Sequence, residues 1–134
     1  MLKREQILSA NDISIERVDV PEWGTDPDDS FVFVKNMSGT ERDAFEASVI
    51  QQRGKKTQID TENIRAKLAS LTICDESGVR IFTDADVRAL GKKSAIALNR
   101  VFLVAQRLSG IGEEAITELT GGLQENPLDA SPSD

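Results

Sequence analysis

Apolar residues fall into short patterned runs along the whole chain. Leu2–Ala10 reads as a short helix stopped by Asn11-Asp12. Ile13–Val20 alternates, with Ile13, Ile15, Val18 and Val20 spaced by Ser14, Glu16, Arg17 and Asp19. That is the period of a half-buried strand, and its one slip, at Glu16-Arg17, predicts a bulge. Pro21-Glu22-Trp23-Gly24 and Asp26-Pro27-Asp28-Asp29 break the run, and Ser30–Lys35 supplies a second strand. The two strands are expected to pair antiparallel across the acidic loop.

Helical spacing takes over from Ser38. Ser38-Gly39-Thr40-Glu41 has the spacing of a capping box, opening a helix over Gly39–Gln52 with Phe45 and Val49 as its buried pair. Arg53-Gly54-Lys55-Lys56 is expected to end it, with cations near the negative end of the helix dipole. Asp60 is the expected cap of a next helix, which places Ile64, Leu68 and Leu71 on one face. Leu71–Cys74 and Val79–Phe82 flank Asp75-Glu76-Ser77-Gly78 and predict a tight second hairpin, with Gly78 able to take a positive φ. Thr83 opens a helix over Asp84–Leu90, Gly91 closes it, and Ser94–Leu108 follows as the longest and most apolar helix. A short helix is expected at Glu113–Leu119. The expected fold is therefore α+β: a helix-dominated single domain over residues 1–120, with an N-terminal β-hairpin and a second short hairpin. Residues 121–134, which carry Pro127 and Pro132, are expected to form a disordered acidic tail.

The helix over Ser94–Leu108 has two apolar sides. On a helical wheel Ala97, Leu98, Val101, Phe102, Val104, Ala105 and Leu108 cover an arc of about 160°, wide enough for a core. Ile96 and Leu103 fall on the opposite side, among Asn99, Arg100, Gln106 and Arg107. Such a helix is either sandwiched within its own fold or presents one face to another molecule. Two aliphatic side chains contribute at most about 3–6 kcal/mol when buried, the scale of a reversible contact.

Composition narrows the chemistry. The 134 residues include no His, no Tyr and one Cys, Cys74. Catalysis by Ser-His-Asp or Cys-His, His metal ligation and disulfide pairing are thereby excluded within the chain. The start, Met1-Leu2-Lys3-Arg4-Glu5, lacks a signal-peptide pattern, and there is no apolar run near membrane-spanning length. Net charge is −7 and unevenly placed: residues 11–29 and 111–134 each carry −6, while residues 30–110 carry +4. An acidic whole argues against general nucleic-acid binding.

No motif promises a reaction. Asp26–Ser30 fails as a calcium loop, since the sixth position is Phe31 rather than Gly and no Glu closes it. Asp84 and Asp86 read as first-turn capping acids, and Cys74 as a small core residue. No cofactor, no metal and no enzymatic activity are expected. Asp84–Leu90, Gly91-Lys92-Lys93 and Ser94–Leu108 have the outline of a helix-turn-helix, which makes a small DNA-binding or regulatory adaptor the alternative. Its reading positions would be Ala95, Ile96, Ala97 and Leu98, which cannot hydrogen-bond base edges.

Arg4-Glu5-Gln6-Ile7-Leu8, Val20-Pro21-Glu22-Trp23-Gly24 and Ser38–Glu46 occur in an order that resembles the tail assembly chaperones of long-tailed, non-contractile phages and prophages. So do Leu71–Gly78, Phe82–Val87, Gly91–Ser94 and Val104–Gly110, which follow them. The resemblance spans most of residues 1–110. It implies a chaperone of the bacterial host cytoplasm that coats the tape measure protein and leaves as tail tube subunits polymerise, without entering the mature virion. It also implies self-association, and a tail tube partner met through a C-terminally extended form in many relatives. No membrane or nucleic-acid partner is implied. Independently of the resemblance, the helical wheel makes Ile96 and Leu103, framed by Arg100 and Arg107, the candidate protein-contact residues, for self-association or for holding the tape measure.

Overall fold

The structure is a computed structural model that describes residues 1–53, 56–59 and 63–111, with backbone alone at 51–53 and 56–59. It bears out the α+β expectation. Helix α1 (Arg4–Ser9) leads to strand β1 (Ile15–Asp19), which pairs antiparallel with β2 (Phe31–Lys35). Then come α2 (Gly39–Val49), a two-stranded ribbon of β3 (Ile50–Arg53) and β4 (Lys56–Ile59), and α3 (Ile64–Thr72). Strand β5 (Ile73–Cys74), α4 (Val87–Leu90) and α5 (Ala95–Leu108) complete the described chain. In the three-stranded sheet β2 is central, between β1 and β5.

The expected bulge in β1 is absent. Its register with β2 runs unbroken from Ile15↔Lys35 to Asp19↔Phe31. The slip is absorbed by sending Ile15 to the outer face with Arg17, whose guanidinium stacks 3.9 Å above the Phe31 ring. Val18 and Val34 line the inner face, with Val20 just beyond β1. The outer face is covered in part by the edge-to-face pair Phe31–Phe33, with ring centroids 5.5 Å apart.

Helix α2 starts as expected: Glu41 N–H donates to Ser38 Oγ, and Ser38 N–H donates back to Glu41 Oε1 at 2.9 Å. Phe45 and Val49 are buried. The helix stops at Val49, three residues early, because Ile50–Arg53 turns into the β3–β4 ribbon. The ribbon's register runs from Ile50↔Ile59 to Arg53↔Lys56, where sequence reading expected the last turn of the helix and no strands.

The turn at 75–78 forms, with Gly78 at φ +85°, and closes a minimal hairpin in which Asp75 N–H donates to Val79 O and Ile81 N–H to Ile73 O. Helix α3 extends through Leu71 and Thr72, and a single bridge, Cys74↔Arg80, replaces the second strand. Strand β5 also pairs with β2, on its other edge, through Phe33↔Cys74 and Val34↔Ile73. Cys74 is buried, as expected. Arg80 crosses back to α3, where Nε donates to Ser70 O at 2.6 Å, while Nη2 meets Asp84 at 2.8 Å.

The centre of the core is α3, rather than α5. Ala66, Leu68, Ala69, Ser70, Leu71 and Thr72 are all buried, and α3 packs on α2, α4 and α5. Its buried hydroxyls are satisfied internally, Thr72 Oγ1 donating to Leu68 O and Ser70 Oγ to Lys67 O. The Asp84–Leu90 segment divides into a 3-10 turn over Asp84–Asp86 and the single turn of α4. Helix α5 begins one residue after Ser94, whose Oγ accepts from Ala97 N–H as the cap, and ends in a Schellman closure: Ile111 N–H reaches Gln106 O and Gly110 N–H reaches Arg107 O. The expected Asp60 cap, the Glu113–Leu119 helix and the tail at 121–134 lie outside the described residues.

Candidate protein-contact surface

Helix α5 resolves the question its sequence left open. Ala97, Leu98, Val101, Phe102 and Ala105 are buried against α3 and the sheet, with Val104 and Leu108 half-buried at the margins. Ile96 and Leu103 face outward, 70% and 47% exposed. Among the described residues nothing covers that side of the helix. Gln106, assigned by the wheel to the polar side, is buried.

Arg100 and Arg107 are not free cations. Both guanidinium nitrogens of Arg100 donate to the two Glu22 carboxylate oxygens at 2.8 Å, and Nη1 also reaches Asp19 O at 3.3 Å. Arg107 donates to Glu16 Oε2 at 2.6 Å. These pairs strap α5 to β1 and to the 3-10 turn over Pro21–Trp23 that follows it. Hydrogen bonds from Arg100, and then from its own backbone N–H, lower the Glu22 carboxyl to about 2. On the side of Arg100 and Arg107 the outward apolar side chains are bordered by charges already held in ion pairs, which a partner can cover at a lower desolvation cost than a lone ion.

Below Ile96 the surface dips into a shallow hollow of about 480 Å³, lined by Arg65, Ala95, Ile96 and Asn99. Arg65 Nε donates to Asn99 Oδ1 at 3.0 Å, and its guanidinium lies 5.3 Å from the centre of the Phe102 ring. Sequence reading missed Arg65 here. It comes from α3, and no local pattern joins it to a helix more than thirty residues on.

The helix-turn-helix outline does not develop into a reading surface. Helix α4 is one turn long, and of the four reading positions Ala97 and Leu98 are core. Among the described residues no three His, Cys, Asp or Glu side chains gather as a metal site, and no helix is long and apolar enough to cross a membrane. Together these features define a small α+β protein in which α5 turns Ile96 and Leu103 outward beside the Arg100–Glu22 and Arg107–Glu16 ion pairs.

The comparisons with known proteins make that class specific. A family model described as phage tail assembly chaperone matches residues 3–120. The chain belongs to that family. No curated protein and no solved structure matches it.

Proposed function

We propose that the protein coats the tape measure protein during phage tail assembly and is displaced as tail tube subunits polymerise around it. The supporting observation is the two-sided α5: one face is core, and the other keeps Ile96 and Leu103 in water within a family of assembly chaperones. On this reading Ile96 and Leu103 touch the tape measure, while Arg100 and Arg107 hold the helix at the angle that presents them. The action is non-enzymatic, takes place in the host cytoplasm and leaves no copy in the finished virion. Residues 1–120 form the working unit, and the acidic 121–134 stretch is where an extended form would reach the tail tube protein.

A coat of this kind must hide apolar surface and still come off without covalent chemistry. Many weak contacts repeated along a long partner satisfy both demands. The test is co-expression with a tape measure protein. The wild-type chain is expected to keep the partner soluble and to co-purify with it, whereas Leu103→Glu loses the complex with an unchanged circular dichroism spectrum. A variant that unfolds would make Leu103 a core residue; one that still binds would move the contact elsewhere.

A further inference from the structure

Among the described residues nothing buries helix α1. None of residues 1–10 is even half-buried, and Leu2, Ile7 and Leu8 are 65%, 58% and 68% exposed. The helix is nonetheless closed on itself: Lys3 N–H donates to Gln6 Oε1 at 2.9 Å, and Ser9 Oγ to Glu5 O at 2.7 Å. Six residues are far below the length at which a helix holds in water without packing, and the described residues supply α1 no packing surface in its own copy.

A matching surface exists elsewhere on the chain. Trp23, Phe82, Ala89 and Leu90 line a slot of about 200 Å³, with Asp86 and Lys93 at its rim. That is the volume of one or two aliphatic side chains. Trp23 also walls the neighbouring hollow that contains Asp29, so the slot opens beside the acidic loop. The charges are complementary. Lys3 and Arg4 on α1 make no ion pair among the described residues, and neither do Asp28 and Asp29 next to the slot. Glu5 is the acid on α1 that can answer Lys93 on the rim.

We propose that α1 of one copy docks in the Trp23–Phe82 slot of a second copy, with Leu8 and Ile7 as anchors and Lys3 and Arg4 against Asp28 and Asp29. Arm and slot are unlike surfaces carried by every copy, so the contact is heterologous and propagates into an open array. The proposal deepens the coat reading by assigning its copy-to-copy contact. It leaves the outer face of α5 free for the partner.

The test is a pair of variants at exposed positions, Leu8→Glu in the arm and Ala89→Glu in the slot, followed by sedimentation velocity. Wild type is expected to form concentration-dependent assemblies, and each variant alone to sediment as a 14.7 kDa monomer. Mixed one to one, the two variants still share one intact arm and one intact slot. They are expected to form a dimer of twice that mass that grows no further. Wild-type assembly that survives either substitution, a strictly monomeric wild type, or a mixture that stays monomeric (including through an arm folded onto its own slot) would overturn the proposal. Leu103→Glu separates the two ideas: it is expected to lose the tape measure yet keep concentration-dependent assembly in sedimentation, so failure of the arm-and-slot contact and failure of the coat reading are read independently.

Discussion

Two residues that look interchangeable in the sequence are held by very different surroundings. Gly24 lies where a Cβ would fall 2.7 Å from Ser30 Cβ and 3.2 Å from Ser30 Cα, on top of the hydroxyl that donates to Asp26 O at 2.6 Å. Gly24→Ala is expected to lower stability by about 1–3 kcal/mol in thermal unfolding, because the acidic loop must shift. Gly39, with nothing within 4 Å of its would-be Cβ, opens α2, and Gly39→Ala is expected to be neutral or to stabilise by up to about 1 kcal/mol. Lys35 is the other residue whose setting no pattern announces. It is 6% exposed, and its Nζ donates to both Glu41 oxygens at 2.7 and 2.9 Å. Burial raises the Glu41 carboxyl, but hydrogen bonds from Lys35 and Ser38 outweigh it and leave it lowered. Glu41→Gln keeps the capping geometry and removes the charge, so urea unfolding should show a loss of about 2–4 kcal/mol from the stranded ammonium.

Among the elements, those with a local cause were legible and those with a distant one were not. The β1–β2 hairpin, the Ser38–Glu41 cap, and the Ser94 cap and apolar arc of α5 are written in neighbouring residues. The end of α2, the absorbed slip in β1 and the extension of α3 over Leu71-Thr72 are decided by partners far along the chain, as when β5 finds β2 as well as Arg80. The candidate surface divides in the same way. Helical spacing exposed Ile96 and Leu103, but it gave no hint that Glu22 and Glu16 occupy Arg100 and Arg107, nor that Arg65 lies beside Ile96. The two faces of α5 predict opposite costs. Leu98→Ala should destabilise by about 2–4 kcal/mol, and Leu103→Ala by less than about 0.5, in the same denaturant series. The strap predicts a pH dependence. The folded Glu22 value of about 2 lies below the ordinary 4.5, so its contribution is complete above about 4.5 and fades as pH falls toward 2. An NMR titration of the Glu22 carboxyl should show the low midpoint, and Arg100→Ala should return it most of the way to the ordinary value.

At the scale of the whole molecule, a stripe of two aliphatic side chains is too small to hold a partner alone. Their burial contributes a few kcal/mol at best, which the loss of rotational and translational freedom on association largely offsets. On the proposed coat reading, retention comes from repetition, with each seated copy raising the effective concentration of the next along the tape measure. A strong single site would give the same affinity for a short tape measure fragment and a long one. Repeated weak sites predict negligible binding to a fragment spanning one copy and steeply rising apparent affinity as fragments lengthen. Leu103→Ala, weakening each contact by about 1.4 kcal/mol, is tenfold per copy and so compounds with length. Calorimetry over a fragment series should thus show wild type and Leu103→Ala diverging as fragments grow. The same multiplicity explains release, because a growing tube needs to remove only one weakly held copy at a time.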